Sequence, residues 1–109
     1  MFRDDEQSAA VARVLMRSVR LDYLWDGDRP TAEAVELMQR RGGPLSSGQV
    51  QMLLVVFDLW NGEGHADLGR VLAVLDETRL GLVASLLTAV AKGASAVDVW
   101  LGQNVGDLR

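Results

Sequence analysis

Apolar residues recur at helical spacing along most of this chain. Near the start, Val11, Val14, Leu15 and Val19 occupy positions i, i+3, i+4 and i+8, which places them on one face of a helix. The same spacing continues with few interruptions to the first tryptophan. We therefore predict a first helix from about Asp5 to Trp25.

The segment at about 47–61 is the most apolar part of the chain. Ser46 followed three residues later by Gln49 is the capping-box pattern of a helix start. Beyond it, only Gln51 and Asp58 interrupt a run of apolar residues. A helix that is apolar on nearly every side is contacted on most of them. The capping box and the length favour a central helix over a buried strand.

Further helices are predicted after Thr31, after the turn at 61–65, after Asp76, and from Ser95 to Leu101. The one after Asp76 carries a regular apolar stripe, made of Leu80, Val83, Ala84, Leu87, Val90 and Ala91. We expect it to be the second core helix, and residues 103–109 to form a loose tail. The sequence thus predicts an all-α fold: one compact domain over 1–109, a bundle of five to six short helices around a central apolar helix at about 47–61.

One motif occurs three times: Asp, an apolar residue, Trp, a spacer and Gly. The copies are Asp22–Gly27 (with one extra residue), Asp58–Gly62 and Asp98–Gly102. Each is interpreted as the last turn of a helix, with Gly adopting the left-handed conformation just past its end. The segments between the copies do not match, which favours a shared solution for ending helices over duplication of a repeat.

Composition narrows the functional classes. The chain has 109 residues, a formal net charge of −4 and no cysteine. A disulfide framework, a thiolate zinc site and a cysteine nucleophile are therefore excluded. No signal-peptide pattern and no membrane-length apolar run are present, so we expect a cytoplasmic protein without membrane association. Ten Arg against one Lys indicates a bacterial or phage source.

Candidate chemistry is sparse. Glu63, His65 and Asp67 alternate in a predicted loop and are weak candidates for binding a divalent cation, because their spacing matches neither a calcium loop nor a paired-histidine site. Asp58 on the most apolar helix could act as a general acid or base, yet no second member of a dyad accompanies it. The phosphate-binding and nucleophile-elbow motifs are missing from the sequence. We expect no catalytic residue, no cofactor and no metal. A small enzyme or metal-binding protein is therefore only the third hypothesis.

Arg13, Arg17 and Arg20 are the candidate partner-binding residues. They fall on one face of the first predicted helix, and arginine forks bind carboxylates and phosphates. The negative total charge argues against nucleic acid as the partner, because duplex binding depends on a positive face.

A helix-turn-helix regulator is the alternative function. The second helix, the turn at 42–44 and the third helix have suitable lengths, and Ser47, Gln49 and Gln51 would then contact bases. The third helix becomes too apolar after one turn to lie in a groove, so the pattern only weakly supports this hypothesis.

The surplus of apolar residues favours a different function. An apolar central helix needs cover on every side, and surface left uncovered in a small protein usually meets a partner or a second copy. We therefore expect a small, soluble, non-catalytic protein that acts through protein–protein contact, as an inhibitor, immunity-type or regulatory partner, and that forms a homo-oligomer such as a dimer. The sequence leaves open the partner's identity and whether the arginines or an apolar patch form the contact.

Overall fold

The helices follow one another along the chain largely as the apolar pattern predicts. The computed structural model describes residues 1–41 and 43–105. Within these residues lie six α-helices and one two-stranded sheet: α1 (Asp5–Ser18), β1 (Trp25–Asp26), β2 (Arg29–Pro30), α2 (Ala32–Gln39), α3 (Ser47–Trp60), α4 (Leu68–Val74), α5 (Glu77–Lys92) and α6 (Ala94–Val105). The radius of gyration is 12.8 Å, close to the roughly 13 Å expected of a globule of this length. The predicted all-α globule is confirmed.

Helix α3 forms the centre of the bundle, as predicted. Its capping box is present: the Ser46 hydroxyl accepts from the Gln49 N–H at 3.2 Å, and the Gln49 side chain accepts from the Ser46 N–H at 3.0 Å. The helix packs against α1, α2 and α4. Its buried side chains are Gln51, Met52, Leu53, Leu54, Val56 and Phe57. Burial on most sides explains why this segment has almost no polar face.

Helix α1 is shorter than predicted. It ends at Ser18, and the chain turns where Arg20 adopts a φ of +63°. The Leu21 N–H donates to the Met16 carbonyl at 2.9 Å, which closes a Schellman-type helix end. An arginine occupies the left-handed position that glycine usually takes, so the sequence carried no visible stop signal before Trp25.

Helix α6 is longer than predicted. It continues past Leu101 to Val105, so residues 103–105 of the expected loose tail are helical; residues 106–109 lie outside the described range. The Trp100 ring is buried, and its Nε1 donates to the Ser85 hydroxyl at 2.9 Å. The Asn104 side chain donates to the Trp100 carbonyl at 2.8 Å. Packing on α5 thus fixes a segment that looks weakly helical by itself.

The Trp–Gly motif ends an α-helix in only one of its three copies. Trp60 closes α3, and Gly62 follows with a φ of +78°. In the first copy, Asp22–Leu24 form a short 3-10 helix that ends at Trp25, the first residue of β1, and Gly27 takes a φ of +62° in the turn of the hairpin. Trp100 lies inside α6. The three copies therefore differ in local structure. The interpretation of the third copy was wrong, and the first copy ends a short 3-10 helix instead of the long first helix that was predicted.

Two of the tryptophans serve the core together. The Trp25 ring lies edge-to-face with Phe57 and Trp60, at centroid distances of 6.0 and 5.5 Å. Phe57 and Trp60 are 6.2 Å apart in the same geometry. Such pairs stabilise beyond their buried area, so this cluster fastens the hairpin to the end of α3.

Candidate functional site

The three candidate arginines do not form one stripe. Helix α1 places Arg13 and Arg17 one turn apart and exposed, whereas Arg20 lies beyond the helix end. The Arg13 guanidinium donates to the Gly27 carbonyl, which ties α1 to the hairpin turn. Arg20 instead lines a groove with Arg79 near the starts of α3 and α5. The role of these arginines in partner binding remains a prediction. Arg13 also has a structural role through its hydrogen bond to the Gly27 carbonyl.

Asp58 has a structural role in the loop that follows α3. Its two carboxylate oxygens accept from the His65 N–H at 2.7 Å and the Ala66 N–H at 2.9 Å. Both oxygens are thus engaged by the backbone of the same loop. This geometry accounts for a carboxylate on the most apolar helix without any catalytic task.

The three weak metal candidates serve the same loop. The Glu63 side chain accepts from Asn61 at 3.3 Å, His65 adopts a φ of +51°, and Asp67 accepts from the Arg70 N–H at 3.3 Å as the N-cap of α4. Among the residues that the structure describes, no group of three His, Cys, Asp or Glu side chains could hold a metal ion.

The backbone of this loop packs directly against the backbone of α3 at Gly64. A Cβ on Gly64 would lie 1.9 Å from the Leu54 carbonyl oxygen, so only glycine fits there. From the other side, the Arg41 guanidinium donates to the Gly64 and His65 carbonyls at 3.2 and 3.1 Å. Sequence reasoning missed this arrangement, since it joins segments 23 residues apart.

The base-contacting residues of the helix-turn-helix hypothesis are largely unavailable. Gln51 is only 6% exposed. Gln49 is held by the capping box, and its Nε2 donates to the Val19 carbonyl at 3.0 Å. Ser47 is exposed, but α3 beyond it is covered by its neighbours. A recognition helix must offer several side chains to the groove, and this geometry does not favour that use of α3.

A polar contact between the two ends of the chain was also missed. The Arg3 guanidinium meets the Asp98 carboxylate at 2.6 Å, and the Gln7 side chain donates to the same carboxylate at 3.0 Å. The hydrogen bond from Arg3 is the main reason that the pKa of Asp98 lies below its ordinary value, and the bond from Gln7 lowers this pKa further. The hydrogen bond between Arg3 and Asp98 also raises the pKa of Arg3. These residues join the start of α1 to α6.

The predicted core stripe of α5 is only partly in the core. The side chains buried on this helix are Val83, Leu86 and Ala89. Because α5 packs mainly on α6 and α1, only the side facing them is covered. Leu80 and Val90 are half-buried, and Ala84, Leu87 and Ala91 are exposed. We call the row Leu80, Ala84, Leu87 and Ala91 the α5 stripe. Leu87 is 51% exposed. Helix α5 therefore contributes to the core, as predicted, but only part of its apolar stripe is buried.

Other exposed apolar side chains are scattered. Tyr23 and Val99 stand alone on separate elements, whereas Leu68 and Leu72 form an exposed pair one turn apart on the seven-residue α4. Isolated exposed apolar residues are ordinary in soluble proteins. The α5 stripe differs because its members repeat at intervals of four, three and four residues over about three turns of one helix.

Comparison of the chain with protein-family models, curated proteins and solved structures found no match. None of the helices in the described part of the chain is both long and apolar enough to cross a membrane. The fold and its surface define a small all-α globule with one exposed, heptad-spaced helix face.

Proposed function

We propose that this chain is a non-catalytic protein that acts by contact with another protein, and that the α5 stripe is its contact surface. The observation that carries the proposal is the exposure of Ala84, Leu87 and Ala91 in register with half-buried Leu80. Contact with a partner would remove this surface from water, which is favourable roughly in proportion to the apolar area buried.

The spacing and the charge pattern support a helical or groove-shaped partner. Intervals of four and three residues are those of knobs that insert into the holes of a facing helix. From 80 to 91 the chain contains no charged residue, although most of the outward face of α5 is exposed. Depletion of charge is a property of interface centres. A merely solvated helix face would carry Lys, Glu or Arg along this length.

The roles that fit a protein acting by contact are those of an inhibitor, an immunity-type protein or a regulatory subunit, and the partner at the α5 stripe is either a target protein or a second copy of this chain. The predicted cytoplasmic location and bacterial or phage source belong to this proposal. The predicted partner-binding residues Arg13, Arg17 and Arg20 are exposed, and a second, polar contact through them belongs to this proposal.

Photo-crosslinking in cells that produce the protein naturally tests the surface. A benzophenone side chain is placed at Leu87 and, as a matched control, at Leu72, which is 55% exposed on α4. We expect a discrete protein adduct from position 87 and none from position 72. The same adducts from both positions, or none from position 87 and from neighbouring stripe positions, would overturn the proposal.

A further inference from the structure

We infer that the α5 stripe binds the α5 stripe of a second copy of this chain, with the two helices antiparallel. This inference rests on the proposed function, since it names the partner of the same surface. It is carried by two independent forms of self-complementarity in α5, one of shape and one of charge.

The stripe alternates large and small side chains. Leucine stands at 80 and 87, and alanine at 84 and 91. When two such helices run antiparallel about a two-fold axis near 85–86, Leu80 faces Ala91 of the second copy and Leu87 faces its Ala84. Each large knob then meets a small residue, which permits close packing without overlap. In a parallel pair, leucine would face leucine and alanine would face alanine.

The charges at the helix ends select the same orientation. Glu77 lies in the first turn of α5 and Lys92 in the last, and both are exposed. Arg79 is closer to Leu80 along the chain, but its guanidinium donates to the Ser18 carbonyl and to the Asp76 carboxylate. The helix has 16 residues, so its ends are about 24 Å apart. Antiparallel pairing brings each Glu77 near Lys92 of the other copy. Parallel pairing would place like charges together at both ends.

A two-fold contact uses the same patch on both copies, so the patch must complement itself. The α5 stripe meets this condition in shape and in charge. With only two leucines and two alanines per copy, the contact is smaller than a standard specific interface, as weak and transient contacts are. We therefore expect a dissociation constant on the order of micromolar or weaker.

Sedimentation equilibrium measures the association. We expect the wild type to shift from monomer to dimer with rising concentration, and Leu87→Glu to weaken the dimer at least about tenfold, because a carboxylate would enter an apolar contact. Leu72→Glu, a change of the same kind at similar exposure, should leave the association constant unchanged. Circular dichroism confirms that both variants fold. A wild type that stays monomeric up to about 1 mM would overturn the inference, as would equal weakening by both variants.

Disulfide trapping tests the orientation without relying on Leu87→Glu. The chain has no cysteine, so Leu80→Cys and Ala91→Cys each introduce a single thiol. Under mild oxidation a mixture of the two variants should form the mixed disulfide, and neither variant alone should, because identical positions lie 11 residues or about 16 Å apart along the axis. Efficient disulfides within each single variant would show parallel pairing and overturn the inference.

Charge reversal gives a further check. Glu77→Lys or Lys92→Glu alone should weaken association, and the two together should restore it. Failure of this inference is distinguishable from failure of the proposed function. A monomer that still crosslinks a different protein from position 87 contradicts self-association alone. A monomer without any adduct contradicts both.

Discussion

Replacing Gly64 by alanine should be among the most destabilising single-methyl changes in this protein. The new Cβ would lie 1.9 Å from the Leu54 carbonyl oxygen, 2.8 Å from its carbon and 2.9 Å from the Asp58 nitrogen. All three are backbone atoms of α3. They cannot rotate away as a flexible side chain could, so the loop must move outward by more than 1 Å to reach an ordinary contact.

That movement would disturb the hydrogen bonds on both sides of Gly64. Asp58 would lose its short bonds to the His65 and Ala66 N–H groups, and Arg41 its bonds to the loop carbonyls. Overpacking costs about 1–3 kcal/mol, and hydrogen bonds to charged groups contribute about 1.5–3 kcal/mol when well buried. Since these bonds are partly exposed, we expect a total loss of about 2–4 kcal/mol. The total free energy of unfolding of a domain of this size is about 5–15 kcal/mol.

Urea denaturation monitored by tryptophan fluorescence measures this loss, since Trp60 ends the helix that the loop follows. We expect a lower midpoint with an unchanged slope. Asp58→Ala serves as a companion variant, because it removes the carboxylate and leaves the backbone contact intact. It should cost less than Gly64→Ala. A Gly64→Ala free energy of unfolding within about 0.5 kcal/mol of wild type would refute the reasoning, since changes of that size are typical of unconstrained surface sites.

Three further variants test how local and tertiary signals act. Gly62→Ala should destabilise by about 1 kcal/mol, because it forces a side chain into the left-handed conformation. Gly102→Ala, in the interior of α6 with open space around it, should stabilise by about 0.5–1 kcal/mol. Thermal unfolding measures both variants, and a change in stability of the same sign for Gly62→Ala and Gly102→Ala would contradict the helix ends described above. Because the pKa of Asp98 is lowered in the folded protein, its carboxylate contributes stability above its unfolded pKa of about 3.9, and this contribution is lost as the pH falls through the lower folded value. Asp98→Asn should therefore reduce stability at pH 7, with a difference from wild type that shrinks in acid; a difference that stays constant down to about pH 2 would count against the contact with Arg3.

The sequence by itself determined the features that depend on neighbours in the chain. The caps at Thr31, Ser46 and Asp76 are confirmed, because each needs only a side-chain oxygen and a backbone N–H three residues ahead. The central position of α3 is confirmed because a helix without a polar face can be stable only when it is covered.

Only the tertiary structure decided which apolar residues remain outside the core. The spacing of the apolar residues on α5 is the same whether one side or both sides of the helix are covered. Which side is covered depends on where α1 and α6 lie. Contacts between distant segments, such as Arg41 with the loop at Gly64 and Arg3 with Asp98, leave no periodic trace. The end of α1, beyond which the chain turns at Arg20, was not predictable for a related reason: the hydrogen bonds that close that helix are made by the backbone, which every sequence shares.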